Sequence, residues 1–325
     1  MSMSSHLARK IKQMLYRLGW LQAFAGIDRN RYLRRLRRAR FADSRYLSQQ
    51  DKAQFAGAEV VVRVEDRGVV SYFHCHPRSS IEDMIIKHGF FQKTVFDTLT
   101  PFVSPASLVL DVGANVGAYA IPLARAFPDV ELHAFEPNPP VIARFRENLA
   151  LNRMADGNLK LLPVALSAAP GRMTLHAVDR REDNYGLSSL RKASLGDVSH
   201  AATEVAVETL DGLYLDSARP LSAIKMDVQG HELQVLKGGR QVLAKFRPVL
   251  VFEHEDSLFE AAEATAVKAA TAAFLDELGY RCYYVSRYGA DLLTRVSWDR
   301  PLNGDILAVP FPASESRGAA ALRIP

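Results

Sequence analysis

One stretch constrains this chain more than any other. Residues 107–137 read SLVLDVGANVGAYAIPLARAFPDVELHAFEP. An apolar run, Leu108–Val109–Leu110, ends in Asp111, and a loop with Gly113 and Gly117 follows. Ala120, Ile121, Leu123, Ala124 and Phe127 then recur at helical spacing, and a second apolar run ends in Glu136. Strand, glycine turn, helix and strand make a βαβ unit, which demands a parallel sheet. Glycines permit unusual backbone dihedrals and close approach of a ligand. A helix opening near Gly117 would point free N–H groups at that ligand. Glu136, some twenty residues after the loop, is placed to accept hydrogen bonds from a ribose.

The glycines are spaced G-x-x-x-G. A dinucleotide pyrophosphate needs the tighter G-x-G-x-x-G turn, and Asp111 would repel it. An NAD-dependent oxidoreductase is therefore disfavoured. The same acid suits a cationic amino-acid moiety, so S-adenosylmethionine (SAM) fits better than NAD.

The motifs resemble a known family. D-V-G-A-N-V-G followed by F-E-P-N is similar to the class I SAM-dependent methyltransferases, in particular the FkbM type. A second block, Ile224-Lys-Met-Asp227-Val-Gln-Gly230-His231-Glu232, with Leu-Lys-Gly238 beyond it, is similar to that family's I-K-I-D-V-E-G-H-E and L-K-G. Val205 to Asp211 resembles the segment before that block, and Gly89–Phe90–Phe91–Gln92 its G-x-Y-E element. Gln229 and Gln92 each stand where the family carries Glu. The resemblance spans roughly residues 81–310. It implies a doubly wound α/β sheet with an antiparallel last strand. It also implies SAM as cofactor, held by Asp111, Gly113, Asn115, Gly117, Glu136, Asn138 and Ala165, the last in a loop 165–167 beside adenine. The activity it implies is O-methylation of a hydroxyl on a glycan, lipid-linked sugar or small metabolite.

The chain divides into a basic helical arm (1–50), a β-hairpin extension (51–80), a methyltransferase domain (81–312) and a polar tail (313–325). Val60–Val64 and Val69–Phe73 flank the turn 65–68. Ser80 is the expected cap of the next helix. Leu159–Val164 is the third core strand. Residues 168–220 interrupt the alternation with two strands and a polar stretch. Its Asn184, Ser188 and Ser189 match the family's N-x-G-x-S-S element and suggest a substrate or cofactor lid, against a plain surface excursion. Ile224–Asp227 and Pro248–Glu253 are the fourth and fifth strands, with one helix from His231 to about Lys245 between them. A helix over 261–278 stops at Gly279, and two further strands follow.

Ligands of open α/β sheets bind beyond the carboxyl ends of the strands, where Asp111, Glu136, Asp227 and Glu253 all fall. Asp227 or His231 is the expected general base, one orienting the other, with Glu253 on the substrate side. A second reading puts Mg²⁺ on Asp227 and Glu253, with His254; a third has Asp227 capping a helix and His231 merely packed. His74–Cys75–His76 alternates across a strand with no third ligand in view, so no metal site is assigned.

The net charge of +5 is uneven. Residues 1–45 hold 12 Lys/Arg and 2 Asp, a charge of +10, which leaves −5 for the remainder. Leu7, Ile11, Met14, Leu15, Leu18, Leu21 and Phe24 make one apolar face among these cations. Such a helix docks on its own domain or lies on an anionic membrane surface. An Arg-rich, acid-poor start also resembles a transit peptide. No nucleic acid is expected as a partner, for no aromatic platform accompanies the basic run. Two cysteines provide no disulfide framework, and no apolar run reaches the ~20 residues of a membrane span. A cytoplasmic protein, peripheral to a membrane if the arm binds one, is the expected setting. A non-catalytic SAM-binding or membrane-recruited scaffold is the alternative to an enzyme.

Overall fold

The computed structural model describes residues 41–42, 59–76, 79–154, 157–178, 188–191, 200–285 and 294–311. The expected arm, except for residues 41–42, the tail and Asn184 lie outside the described residues. Phe41–Ala42 (β1), inside the segment expected to be helical, instead pairs in parallel with β2 (Val60–Asp66). β2 turns into β3 (Val69–Cys75) through Arg67 and Gly68, both at positive φ, as a two-residue hairpin turn requires. Alternate residues Val60, Val62 and Val64 and, on β3, Phe73 and Cys75 are buried.

Two helices follow, α1 (Ser80–His88) and α2 (Lys93–Leu99). The cap of α1 is Ser79, one residue earlier than expected, and its side chain makes no capping bond. The main sheet then starts with β4 (Leu108–Val112), α3 (Ala120–Ala126), β5 (Glu131–Phe135), α4 (Pro139–Leu151) and β6 (Leu159–Leu162). Pro139 and Pro140 open α4, where a missing N–H costs nothing.

The expected insertion is a sheet of its own. β7 (Ala165–Leu166), β8 (Gly171–Val178), β9 (Ser188–Ser189) and β10 (His200–Glu208) pair in the order β7-β10-β8-β9. Residues 165–166, expected in a loop, are therefore strand, paired in parallel with Val207–Glu208. The chain re-enters the main sheet through α5 (Leu210–Tyr214) and β11 (Leu221–Met226). The single helix expected after it is two, α6 (Glu232–Lys237) and α7 (Arg240–Phe246). Between them Gly238 admits no side chain, for a Cβ there would lie 2.0 Å from the Ser167 carbonyl oxygen. β12 (Val249–Glu255), α8 (Ala261–Glu277), β13 (Tyr280–Tyr284), β14 (Thr294–Arg295) and β15 (Asn303–Pro310) complete the fold.

The eight strands run β14-β13-β15-β12-β11-β4-β5-β6. β15 is antiparallel to both β12 and β13, as the resemblance implied. The core strands are buried on both faces. Val109 packs with Ile121, Leu123 and Phe145 on one side. Leu108 and Leu110 pack with Leu236, Leu243 and Phe274 on the other. Each such side chain contributes about 1.5–3 kcal/mol by leaving water. The order reverses between β4 and β11, so the crevice beyond their carboxyl ends is the fold's switch point.

Candidate active site

At that point the ends of β4 and β11 meet: the Asp227 N–H donates to the Val112 carbonyl (2.9 Å). The following loop is locked by the protein itself. The N–H groups of Gly113 and Ala114 donate to the Phe135 carbonyl (3.0 and 2.9 Å), and that of Gly117 to the Ala114 carbonyl (3.0 Å). The Asn115 N–H donates to Glu136 (3.0 Å) and the Val116 N–H to the Asn115 side chain (2.9 Å). α3 starts at Ala120, three residues after the expected point. The N–H groups of residues 113–117 are therefore all taken up within the protein. The loop's glycines serve close approach within the protein. A Cβ at Gly113 would fall 1.9 Å from the Asp227 carbonyl oxygen, and one at Gly117 2.3 Å from the Phe145 ring.

Asp111 does not face the crevice as the sequence reading required. It is wholly buried, and Lys225 Nζ lies 3.2 Å from its Oδ1. Burial raises its carboxyl above the ordinary range, against the pull of Lys225. Burial works against the Lys225 ammonium too, but Asp111 and then Asp227 outweigh it and hold it charged. The expectation failed because Asp111's neighbour comes from a strand more than a hundred residues away.

Glu136 is where a ribose would meet it. It is 3% exposed and borders the cleft. Its two oxygens accept from the N–H groups of Asn115 (3.0 Å) and Asn138 (2.9 Å). Burial lifts its carboxyl to about 7, against those two bonds. Asn138 is itself buried and caps α4 without a side-chain bond, so its contribution here is through the backbone. Val112, Phe135, Val164, Ala165, Leu166 and Leu175 give the cleft apolar walls. Its space, open mouth included, is about 770 Å³.

Asp227 lines the same cleft one residue beyond β11. Gln229 Nε2 donates to its Oδ1 (2.9 Å) and Gln92 Nε2 reaches its Oδ2 (3.4 Å). Gln229 Nε2 also donates to Glu253 Oε2 (3.1 Å). The Asp227 charge first, and burial second, push the Glu253 carboxyl well above its usual range. Glu253 does not line the cleft, for Gln229 stands between.

His231 is not paired with Asp227 as expected. It borders the cleft but is 6% exposed, and its Nε2 is hydrogen-bonded to Ser167 Oγ (2.9 Å), with no bond to Asp227. Burial, helped by Arg191, lowers it to about 4. An imidazole so poor at holding a proton is a weak base at neutral pH. His254 turns away from the carboxylates: it bonds Asp256 (3.1 Å) and stacks on Phe259. Among the described residues no three His, Cys, Asp or Glu side chains gather as a metal site.

Ser188, Ser189 and Leu190, from β9 and just beyond, form the wall of the cleft facing these groups. Ser189 Oγ donates to the Gln229 carbonyl (3.0 Å). Sequence reasoning missed Lys225 and Ser167. A lysine inside the apolar strand Leu221–Met226 was the available signal for the first; the second carried none.

A family model described as "Methyltransferase FkbM domain" matches residues 111–282, more than half of the chain. The chain belongs to the FkbM methyltransferase family. Among relatives, the 2-O-methyltransferase NoeI of Sinorhizobium fredii is 33% identical over 167 residues, covering 48% of this chain and 67% of that protein. The 31-O-demethyl-FK506 methyltransferase FkbM of Streptomyces tacrolimicus is 28% identical, over 41% of this chain and 60% of its own. The hexuronic acid methyltransferase AglP of Haloferax volcanii is 29% identical, over 44% and 54%. The chain is thus a SAM-dependent methyltransferase.

The FkbM-type cleft fits SAM on its own chemistry. Apolar walls suit a purine. Glu136 keeps lone pairs that its two backbone donors leave free for ribose hydroxyls. The matched region begins at Asp111 and takes in Glu136, Asp227, Gln229 and Glu253. Gln92, which bonds Asp227, and Ser79, which lines the cleft, come from the segment preceding it.

Proposed function

We propose that the enzyme transfers the SAM methyl group to a hydroxyl of a sugar or sugar-bearing metabolite, with Asp227 as proton acceptor. The observation that carries this is the placement of Asp227: it borders the cleft at the switch point, and both side chains bonded to it are neutral amides that donate to a carboxylate. SAM supplies an electrophilic methyl on a sulfonium. The acceptor oxygen attacks that carbon in line, the S–CH₃ bond breaks as the O–CH₃ bond forms, and the acceptor proton goes to Asp227. The sulfonium charge is discharged in the thioether product.

In this reading Glu136 takes the ribose, and Ala165 with its apolar neighbours takes the adenine. Gly113 and Gly117 hold the loop shape, Asn115 and Asn138 hold Glu136, and Asp111 acts through Lys225 and the loop. Ser188 and Ser189 face the acceptor, with Asn184 of the same insertion assigned to that role from its motif alone. The relatives support this reading: NoeI is named a 2-O-methyltransferase and the Streptomyces FkbM a 31-O-demethyl-FK506 methyltransferase, while AglP, a hexuronic acid methyltransferase, has a sugar acceptor. Asp227→Asn tests the reading. It should leave SAM binding within a few-fold and lower kcat by about 10²–10⁴, the usual worth of a general base. Full turnover in that variant would remove Asp227 from the chemistry.

The basic segment 1–45 is proposed to contact an anionic membrane surface. Among the described residues no helix is long and apolar enough to cross a membrane.

A further inference from the structure

Gln229 is the residue on which the acceptor side converges. Its φ is 53°, and Gly230 follows at 90°, so two successive left-handed residues turn the chain back over the cleft. Glu232 ties that turn down, its Oε1 accepting from the Val228 N–H (2.9 Å). From this fixed backbone one nitrogen reaches two carboxyl groups, Asp227 at 2.9 Å and Glu253 at 3.1 Å. Two acids facing one atom identify that atom as the amide nitrogen, because the amide oxygen would repel both. The backbone carbonyl of the same residue accepts from Ser189 Oγ, and Ser189 is held in turn by the Arg191 N–H (3.0 Å).

We infer that Gln229 is a positioning residue for methyl transfer: its amide aims the Asp227 carboxylate at the cleft by tying it to Glu253, and the Ser189 hydroxyl of the inserted sheet fixes the backbone from which it does so. This rests on the reading of Asp227 as proton acceptor. Two carboxyl groups sharing one donor cannot both be ionised cheaply. The groups around them favour Glu253 as the protonated member. Besides Asp227, it faces Glu255 on its own strand, Asp305 on β15 and Glu232 at the start of α6. The Lys225 ammonium is within electrostatic reach of both acids but acts on Asp227 more than on Glu253, and Asp227 also faces the buried Asp111. The amide then divides the pair, donating one N–H to an ionised base and the other to a neutral acid. A glutamate at 229 could not do this, since it has no N–H to give and adds a third acid.

The test uses the full-length enzyme and four variants, Gln229→Leu, Gln229→Glu, Ser189→Ala and Glu253→Gln. Folding is checked by thermal melting and SAM binding by calorimetry. Two readouts follow: the pH profile of kcat, and the infrared band of a protonated carboxyl. The expected result is a wild-type neutral-carboxyl band that Glu253→Gln removes and Gln229→Leu shifts. Gln229→Leu should also lower kcat about 10–100-fold with SAM affinity within threefold, and move the ascending limb of the kcat profile to higher pH, because Asp227 loses its donor. Gln229→Glu should move the limb further, and Ser189→Ala the same way by less. An unshifted band and limb in folded Gln229→Leu would overturn the inference. The band is read without turnover. A shifted band with an active Asp227→Asn enzyme would therefore reject the base and keep the Gln229 tie, whereas an unshifted band with an inactive Asp227→Asn would do the reverse.

Discussion

Asp111 and Lys225 sit opposite one another in the register of adjacent strands β4 and β11, both buried, with their charged atoms 3.2 Å apart. This pair lies beneath the loop that shapes the cleft, and Lys225 Nζ also donates to the Gly113 carbonyl (3.3 Å). Removing one partner leaves an uncompensated buried charge. Lys225→Met should therefore cost about 3–5 kcal/mol of stability. Lys225→Met with Asp111→Leu should recover part of that loss. Chemical denaturation of the three proteins checks this, and a double variant no more stable than the single one would count against the pair.

Gly113→Ala should weaken SAM binding and destabilise the fold together. The added methyl meets the Asp227 carbonyl, and φ there is +78°. Overpacking and a left-handed alanine together cost at least about 2 kcal/mol. A melting curve and a SAM titration on the same preparation measure both effects.

Glu136 gives a pH dependence of definite sign. Its folded carboxyl, lifted to about 7 from an ordinary 4.5, holds its proton more tightly than the unfolded chain does. Its contribution to stability is complete below the unfolded value and is lost as pH rises towards 7. The loss is on the order of 3 kcal/mol in the ligand-free protein. In the proposed complex ribose hydroxyls would donate to the ionised form, so SAM affinity should rise over the same interval. Glu136→Gln should flatten both curves. Calorimetry between pH 5 and 8.5 distinguishes the two proteins.

Asn148 joins three parts of the molecule. Its side chain accepts from the His74 N–H (2.8 Å) of the hairpin and donates to the Val116 carbonyl (2.9 Å) of the cleft loop. It is wholly buried. Asn148→Leu should cost about 2–4 kcal/mol by stranding two backbone groups. Loss of hydrogen-exchange protection at His74 and in the 113–117 loop would locate the damage.

Deletion of residues 1–45 should abolish pelleting with phosphatidylserine vesicles and leave SAM affinity unchanged. Each basic residue near such a surface contributes about 1 kcal/mol. Retained pelleting would rule the arm out as the contact.

The alternation of strands and helices was legible because each core element carries its own period: Leu108–Val112 reads as buried strand and Glu136 falls at a strand end by count alone. What the sequence hid depends on partners distant along the chain. Asp111 looked like a ligand for a cation because Lys225, which neutralises it, is brought alongside only when β11 docks on β4. His231 looked like a base because its ordinary pKa suits one, and only its burial beside Ser167 removes that suitability. The need for glycine at 238 was hidden for the same reason, since the Ser167 carbonyl that crowds it comes from another element. Gln229 was visible as a departure from a motif, but its two-way bond to Asp227 and Glu253 was not.

The inserted sheet leaves one further consequence. β8 and β10 are zipped together from Val207↔Gly171 to His200↔Val178, and the chain between them places Ser188 and Ser189 at the cleft. Its ends are already held side by side, so a longer or shorter excursion changes closure entropy only slowly. The residues proposed to meet the methyl acceptor are therefore carried on a part that can be exchanged while the strands leading to Glu136 and Asp227 stay as they are. An enzyme so built can change its customers and keep its methyl donor.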